Sequence, residues 1–411
     1  MQPIKTLPSF LSFSRSLFLS LSSLSSFPPQ KFFFILGNEA SDMDSIVGSI
    51  ALAFHRQNLN KTAYPSDFSN EFLKEILLSK EKYYIPIMNC LNSEIISRFD
   101  WNYLTDILGV KNETLTFFEE FKQLATKENL HIILFDHNFP TKNQHYLNPF
   151  VMEIIDHHEN LDLFAKDQKI SKLIKKSGSC CSILAEIIED SEQNLDSLPE
   201  PLLFGLFVTI LMDTMNFEPK LKENRWVEKD FELFKRLSGI LSKSLEFQKK
   251  ISDIDGLYRE LLNLKYSEKQ NLMLPLDLIF AKDRKTFHYE FGKVDFATIF
   301  VNPLSFLNGY GEKTLKEFVA KKLTEEGFLA CILLFVYPDK NDNLFRDFLA
   351  FSWKKEFLGK IKESFDENGM KMKERNLEFK EFSKDFFIFV NDEERIYSRK
   401  LLEPIISKLK F

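Results

Sequence analysis

The sequence predicts an α/β fold built on a parallel sheet, followed by a second, smaller α+β domain. The chain has 411 residues, which is more than one ordinary hydrophobic core accommodates. From Lys31 onward, short apolar runs alternate with longer amphipathic stretches, as strands alternate with helices in βαβ units. Polar clusters follow several of these runs, and ligands gather beyond the carboxyl ends of parallel strands.

The first 30 residues precede this alternation. Apolar residues at positions 7, 10, 11, 18 and 21 recur at helical spacing in a stretch that also contains nine Ser residues. We interpret residues 1–30 as an amphipathic N-terminal helix that packs on the following domain. The alternative is a cleavable targeting segment, because the stretch carries Arg15 and no acid. The Ser residues interrupt the apolar run and argue against a membrane span of about 20 apolar residues.

The predicted elements divide the rest of the chain into three parts. Residues 31–222 form the first domain, with apolar runs at 32–36, 85–88, 132–135 and 150–155 and helix-like stretches at 46–55, 102–108, 113–127 and 179–188. Residues 223–270 are predicted as a charged helical connector, because they lack the Gly, Ser or Pro richness of a free linker. Residues 271–411 form the second domain, in which the strand-like alternation resumes at 276–281, 294–301, 330–337, 345–353 and 386–390.

Composition excludes some classes of function. The net charge of -6 at pH 7 argues against nucleic-acid binding, which normally shows as a basic domain. None of the four cysteines has a Cys-x-x-Cys spacing. We therefore expect free thiols in a reducing compartment, which favours a cytoplasmic location.

Four polar clusters stand at the ends of apolar segments. They are Asn38-x-x-x-Asp42-x-Asp44, Asp136-His137-Asn138, Asp156-His157-His158 and the single Asp213. Buried carboxylates without partners are costly, so acids gathered at one sheet edge require a cation. Carboxylate and imidazole suit Mn²⁺, Mg²⁺ or Co²⁺, and two such ions about 3.5–4 Å apart hydrolyse phosphoryl groups. The clusters therefore predict two divalent metal ions and phosphate chemistry.

Most of these clusters have a simpler alternative. Asp42 and Asp44 also suit the N-cap and first turn of a helix, where Asp satisfies free amides. Asp136 also suits an ordinary turn after a strand. Asp213 also suits a helix end whose side chain faces solvent.

Two further segments support phosphate or metal binding to different degrees. Ser177-Gly178-Ser179-Cys180 suits either an ordinary helix N-terminus or a turn that faces phosphate. Asp156-His157-His158 is poorly explained by packing, because two imidazoles and a carboxylate follow an apolar run directly. In the second domain, Lys282–Lys285 and Ser398–Lys400 contain compact basic groups. Such groups suit a substrate with closely spaced phosphates, although most Lys-rich stretches are solvated surface.

With these residues in view, the chain resembles the DHH superfamily of phosphoesterases, in the subgroup with a DHHA2 C-terminal domain. Within that subgroup it is most similar to eukaryotic cytosolic exopolyphosphatases, which are relatives of family II inorganic pyrophosphatases and of prune. The matching segments are residues 37–45, Asp136-His137-Asn138, Asp156-His157-His158, Ser177-Gly178-Ser179-Cys180, Asp213-Thr214, Asp283-Arg284-Lys285 and Ser398-Arg399-Lys400 with Pro404.

The resemblance implies an exopolyphosphatase that releases orthophosphate from the ends of inorganic polyphosphate, with its active site in the cleft between a DHH domain and a DHHA2 domain. The implied ligands of two divalent ions (Mg²⁺, Mn²⁺ or Co²⁺) are Asp42, Asp44, Asp136, His157 and Asp213. The implied catalytic residues are Asn38, beside the first metal, and His158, which contacts phosphate. The implied substrate-binding residues are His137, Lys285, Arg399 and Lys400. Asp156 is expected to orient its neighbours.

One position departs from part of the superfamily. Family II pyrophosphatases carry His four residues before the first Asp of this motif, where the chain has Asn38. Asn is typical of exopolyphosphatases and prune-like phosphodiesterases, so pyrophosphate is expected to be a poorer substrate than longer chains. The alternative enzymes are an inorganic pyrophosphatase and a prune-like nucleotide phosphodiesterase. A polyphosphate-binding or scaffolding protein with a degenerate site is the alternative outside enzymes. We expect a monomer without a nucleic-acid or membrane partner.

Overall fold

The chain divides into two compact units, Met1–Leu261 and Leu262–Phe411. The computed structural model describes residues 6–28, 30–59, 69–125, 127, 129–165, 167, 169–338, 344–370, 372–374, 387–392 and 399–410. The first unit contains a parallel sheet with helices, and the second contains its own sheet. The predicted α/β fold with a second, smaller α+β domain is therefore confirmed. Within those residue ranges, no helix is long and apolar enough to cross a membrane.

The first sheet has five parallel strands. In chain order they are β1 (Phe32–Leu36), β2 (Tyr83–Ile87), β3 (His131–Phe135), β4 (Val151–Asp156) and β5 (Ser171–Ile174). Their spatial order is β2-β1-β3-β4-β5. The chain leaves β1 on one side to form β2 and continues on the other side with β3, so the order reverses between β1 and β3. Open parallel sheets bind ligands beyond the carboxyl ends of strands at such a point.

The four predicted runs became β1 to β4, whereas β5 was not predicted. Its residues are exposed or half-buried along their length, so no apolar run marks it. The helices of the first unit are α1 (Leu7–Leu21), α2 (Met43–Leu59), α3 (Asn70–Leu78), α4 (Asn92–Ile95), α5 (Phe99–Leu108), α6 (Phe118–Leu124), α7 (Cys180–Glu189), α8 (Glu200–Asp213), α9 (Glu228–Leu241) and α10 (Phe247–Lys250). Helix α11 (Ile254–Lys265) contains the boundary between the units.

Helices α2 and α8 form the centre of the first unit. Every residue of α8 from Leu202 to Met212 is buried, as expected for a helix that is apolar all round. Helix α9 packs against it, with the Phe234 ring stacked on Phe207 at 4.3 Å between centroids. The charged stretch that begins at residue 223 therefore contains a helix that belongs to the core of this unit.

Helix α1 packs on the same unit through its apolar side. Its buried apolar residues are Leu7, Phe10, Leu11, Phe13, Leu17, Phe18 and Leu21. Phe10 meets Phe54 of α2 edge to face, with ring centroids 5.5 Å apart. Arg15 makes a two-pronged ion pair with Glu120 of α6, at 2.6 and 2.8 Å.

The second unit contains a six-stranded mixed sheet. Its strands are β6 (Arg284–Tyr289), β7 (Gly292–Ile299), β8 (Ala330–Pro338), β9 (Leu344–Phe351), β10 (Met372–Glu374) and β11 (Phe387–Asp392). Their order is β10-β11-β9-β8-β7-β6, and β7 with β8 is the parallel pair. The helices are α12 (Glu268–Leu272), α13 (Leu276–Ala281), α14 (Pro303–Tyr310), α15 (Glu312–Thr324), α16 (Lys355–Glu367) and α17 (Arg399–Ile406).

Alternate residues of these strands enter two apolar clusters. One cluster includes residues of α13, α14 and α15, and the other includes residues of α16 and α17. One strand-like segment was predicted incorrectly, because residues 276–281 form helix α13. Pro275 stands at its N-cap, and consecutive Ile279 and Phe280 are both buried in the first cluster. Strand β6 was missed because its residues are half-buried and partly charged.

Candidate metal centre

The polar clusters of the first unit follow β1, β3 and β4 and end α8. Asp136 comes directly after β3, Asp156 is the last residue of β4, and Asp213 is the last residue of α8. Asp136, His157 and His158 each offer one ligand atom, and these atoms lie within 4.8 Å of one another. The fold thus brings Asp136 close to His157 and His158, next to the point where the strand order reverses.

Asp136 is the central carboxylate of this group. Its backbone has a φ of 64°, a left-handed conformation that is unusual for a residue with a side chain. Oδ2 accepts hydrogen bonds from Asn38 Nδ2 and from Ser45 Oγ, the latter at 2.7 Å. Burial, together with the nearby charges of Asp44 and Asp42, raises the pKa of Asp136 to about 8. The site therefore opposes a negative charge at this position unless a cation is close.

His157 is held so that one ring nitrogen faces the acids. Nδ1 lies 3.0 Å from the backbone oxygen of Ser177. A carbonyl only accepts, so Nδ1 carries the proton, and Nε2 of the neutral ring carries a lone pair. Nε2 lies 3.2 Å from Asp136 Oδ1 and 3.8 Å from Asp44 Oδ2. Two acceptors at this range need a proton or a cation between them, and a metal-binding histidine has this arrangement when Nε2 carries no proton.

Asp44 is bound by the N-terminus of α7. Its carboxylate accepts hydrogen bonds from Ser179 Oγ at 2.9 Å, from Cys180 N at 2.7 Å and from Cys181 N at 2.8 Å. Free amides at a helix N-terminus favour an anion. In this structure the anion is a carboxylate of the chain itself, so the Ser177–Cys180 segment positions Asp44.

Asp156 holds the two histidines and the loop after β3. Oδ1 accepts hydrogen bonds from His157 N at 2.8 Å, His158 N at 3.1 Å and His158 Nδ1 at 2.8 Å. Oδ2 accepts a bond from Asn138 Nδ2 at 2.6 Å. Burial disfavours the charged form, but the bond from His158 and the two imidazoles outweigh it and hold the pKa below the usual range. Asp156 is thus saturated by donors and fixes the orientation of His158.

Asp213 and Asp42 differ in their surroundings. Asp213 Oδ2 is buried and has no hydrogen-bond partner among the residues that the structure describes. Burial, then Asp44 and Asp42, raise the pKa of Asp213 well above its usual value. The buried oxygen and the raised pKa do not fit the alternative in which the Asp213 side chain faces solvent. Asp42 is exposed, and its Oδ1 accepts from Ser45 N at 3.1 Å, as an N-cap does.

The other residues singled out from the sequence lie in several environments. Asn38 Oδ1 accepts hydrogen bonds from Ala40 N at 2.9 Å and Ser41 N at 3.1 Å, so the amide shapes its own loop while it donates to Asp136. His137 is half-buried, with Nδ1 3.0 Å from the oxygen of Phe135.

The predicted basic residues belong to the second unit. Lys285 lies on β6 and is half-buried. Arg399, at the start of α17, donates to the backbone oxygen of Asp283 at 3.0 Å and to its Oδ1 at 2.6 Å. Ser398 and the side chain of Lys400 lie outside the described residues.

The donor set fits a divalent cation. Asp213 Oδ2 is a buried carboxylate oxygen without a hydrogen bond from any described residue, and the buried Asp136 Oδ1 faces His157 Nε2 at 3.2 Å. Hard oxygen ligands with one imidazole suit Mg²⁺, Mn²⁺ or Co²⁺. The structure therefore contains a candidate metal site at Asp136, His157 and His158, with Asp44 and Asp213 close by.

Two supporting residues were missed in the sequence. Arg98 is buried, and its guanidinium donates to the backbone oxygens of Ala40, Ser41 and Glu94 at 2.6, 2.5 and 2.9 Å. It thereby holds the loop between Asn38 and Asp42. Asp230 of α9 binds the loop before α7. No local pattern marks Arg98 as a support of the site, because Ala40 and Ser41 are distant in sequence, and the local position of Asp230 indicates only a cap of α9.

Comparisons with known proteins agree with this geometry. Residues 32–209 match the model of the DHH family, N-terminal domain. This match lies within the first of the two units. It is 28% identical over 285 residues to the rat protein named exopolyphosphatase PRUNE1, covering 67% of this chain and 54% of that protein. The human protein of the same name is 27% identical over 281 residues, covering 66% and 53%. The chain thus spans about half the length of the curated relatives it matches.

A solved structure extends the likeness to the second unit. A Methanococcus jannaschii crystal structure assigned to the family II inorganic pyrophosphatases superposes with a TM-score of 0.57 at 20% identity. The match covers 92% of this chain and 98% of that chain. At this identity the comparison establishes a shared fold.

Proposed function

We propose that this protein is a metal-dependent exopolyphosphatase, which hydrolyses terminal phosphates of inorganic polyphosphate and releases orthophosphate. The proposal is carried by one observation, the approach of His157 Nε2 to Asp136 Oδ1 at 3.2 Å in a buried acidic pocket. The DHH domain and the names of its relatives support the substrate class. We infer a hydrolase of phosphoanhydride bonds from these together.

Two divalent ions, Mg²⁺, Mn²⁺ or Co²⁺, would be held by Asp44, Asp136, His157 and Asp213, with Asp42 at the exposed side. When bound, such ions acidify water and neutralise charge on phosphoryl oxygens. The chain prepares this site by fixing its ligands. Ser177 sets the tautomer of His157, and the first amides of α7 orient Asp44.

The remaining residues would bind substrate. Asp156 Oδ1 accepts a hydrogen bond from His158 Nδ1 and so orients the ring, and a protonated Nε2 would donate to a phosphate oxygen. Lys285, Arg399 and Lys400 would neutralise the polyphosphate chain. Arg399 is paired with Asp283, so we expect phosphate binding to compete with that ion pair.

The test is phosphate release from polyphosphate, pyrophosphate and a cyclic nucleotide, each with Mg²⁺, Mn²⁺ or Co²⁺. Polyphosphate should be the preferred substrate. Asp136→Asn and His157→Gln should abolish release while the protein remains folded, and exposed His145→Gln serves as the matched control. Full activity of both site variants would overturn the proposal. Preference for pyrophosphate or the cyclic nucleotide would instead support the alternative enzymes, and absence of both metal binding and hydrolysis would favour a degenerate binding protein.

Three further expectations accompany the proposed function. We propose a monomeric, cytoplasmic protein without a nucleic-acid partner, supported by the acidic net charge and the buried free cysteines. Sedimentation would test the first point, and localisation of a tagged full chain would test the second.

A further inference from the structure

Asp230 is a buried acid outside the predicted ligand set. It lies in the third helical position of α9 and is 0% exposed. Its Oδ1 accepts a hydrogen bond from Ser177 Oγ, and its Oδ2 accepts from Gly178 N and Val227 N, both at 2.8 Å. The carboxylate is therefore satisfied entirely by uncharged donors. One of these bonds caps α9, and the other two bind the loop before α7.

This loop, Ser177–Cys181, contacts two of the proposed metal ligands. The backbone oxygen of Ser177 faces His157 Nδ1 at 3.0 Å. Ser179 and the amides of Cys180 and Cys181 bind the carboxylate of Asp44. Asp230 and the proposed metal ligands thus contact the same five residues.

The loop is also packed closely against the end of α8. A Cβ atom on Gly178 would lie 2.6 Å from the oxygen of Arg225 and 2.9 Å from Thr214 Cγ2. Thr214 directly follows Asp213, the proposed ligand at the end of α8. The loop is consequently confined by α8 on one side and by Asp230 on another, with little room to shift.

We propose that Asp230 is a positioning residue of the metal centre, which acts through Ser177 and Gly178 to fix the tautomer and direction of His157. This inference rests on the proposed metal-dependent function. The two hydrogen bonds that Asp230 accepts from Ser177 and Gly178 set where the Ser177 carbonyl lies, and that carbonyl keeps the proton on His157 Nδ1. Nε2 is thereby left with its lone pair toward Asp136 and Asp44.

The alternative is that Asp230 serves α9 alone, as a helix cap. The two roles share Oδ2, which accepts from Gly178 N and Val227 N, but only the positioning role uses Ser177 Oγ, so Ser177→Ala weakens the loop contact without touching the cap of α9. Asp230→Ala removes all three bonds. Asp230→Asn keeps an oxygen for the two amides and offers an N–H to the Ser177 hydroxyl, so it preserves geometry without charge. Glu94→Ala is the matched control, because Glu94 caps α4 through Leu91 N at 2.9 Å without touching the loop.

The experiment titrates Mn²⁺ alone, without substrate, into each full-length metal-free protein by calorimetry. Asp230→Ala should weaken Mn²⁺ binding by on the order of 10- to 100-fold, the usual effect of losing a group that orients a metal ligand. Asp230→Asn should recover most of that affinity, and Glu94→Ala should bind like the unchanged protein. Nuclear magnetic resonance of ¹⁵N-labelled histidines should show His157 leaving the Nδ1–H form in Asp230→Ala, with His157→Gln used to assign the signal.

The outcomes are distinguishable from failure of the proposed function itself. If the unchanged protein does not bind Mn²⁺, the metal-dependent function fails. If it binds Mn²⁺ and Asp230→Ala binds equally well with an unaltered His157 tautomer, the positioning role is overturned. Equal losses in Asp230→Asn and Asp230→Ala would also overturn it, because geometry would then not be the cause. If Asp230→Ala does not fold, the two single variants Asp230→Asn and Ser177→Ala are compared instead. Weaker Mn²⁺ binding by Ser177→Ala, with unchanged binding by Asp230→Asn, supports the proposal.

Discussion

Gly48 of helix α2 packs closely against Phe135, the strand residue that precedes Asp136. A Cβ atom added there would lie 2.0 Å from Cε1 and 2.4 Å from Cζ of Phe135. The ring or the helix would have to move by roughly 1.4 Å to restore ordinary contact. Phe135 is the last residue of β3 and directly precedes Asp136, so such a movement reaches the metal centre.

Two effects of Gly48→Ala oppose each other. Overpacking a well-filled core costs about 1–3 kcal/mol, and a backbone-anchored aromatic ring places this case toward the upper end. Ala favours a helix over Gly by about 1 kcal/mol. We therefore expect a net loss of about 1–2 kcal/mol in the free energy of unfolding, together with weaker Mn²⁺ binding because Asp136 is displaced.

Gly239 of α9 supplies the control, because no atom of the described residues beyond its own stretch of helix lies within 4 Å of its added Cβ. Gly239→Ala should stabilise the protein by about 0.5–1 kcal/mol through helix propensity alone. Urea denaturation of both variants measures the difference. Adding Phe135→Leu to Gly48→Ala should recover part of the loss in a double-mutant cycle. The packing argument is refuted if Gly48→Ala is as stable as Gly239→Ala.

Three other predictions concern the first unit. Asp42→Asn keeps the oxygen that accepts Ser45 N–H, so the free energy of unfolding measured in urea should change by less than about 0.5 kcal/mol. Calorimetry should show weaker Mn²⁺ binding. Unchanged binding would mean that Asp42 serves only as a helix cap. Phe10→Ala should lower the free energy of unfolding by about 3–5 kcal/mol, because the ring is buried against Phe54. A decrease below about 1 kcal/mol in urea denaturation would contradict the packing of α1. Burial, then the charge of Arg56, lowers the pKa of His55 to about 4, so its contribution to stability is complete above about pH 6.5 and is lost as the pH falls toward 4. When the pH falls from 7 to 5, the free energy of unfolding of the unchanged protein should decrease by about 2 kcal/mol more than that of His55→Leu. Equal decreases would refute a buried neutral imidazole at position 55.

The sequence by itself determined the strands that carry the site and the residue types at their ends. Runs such as residues 32–36 and 132–135 are short, apolar and followed by polar residues, so their local pattern predicts buried strands. It also predicted that Asp136 and Asp156 lie at one sheet edge, because parallel strands end on the same side. The family resemblance was visible in the same motifs.

The tertiary structure decided how those residues are used. Ser179 lies 135 residues from Asp44 in the sequence, yet it binds that carboxylate, and no local period encodes such a pairing. Arg98 binds backbone carbonyls, and Asp230 binds the Gly178 amide and the Ser177 hydroxyl, all distant in the sequence, so neither role leaves a motif. Residues 276–281 show that a local pattern can also be ambiguous. Their neighbouring apolar residues fit either a strand or a helix, and burial against the second sheet selects the helix. Periodicity fixes local form and the edge at which groups gather, whereas the direction of each side chain is set by contacts between distant segments.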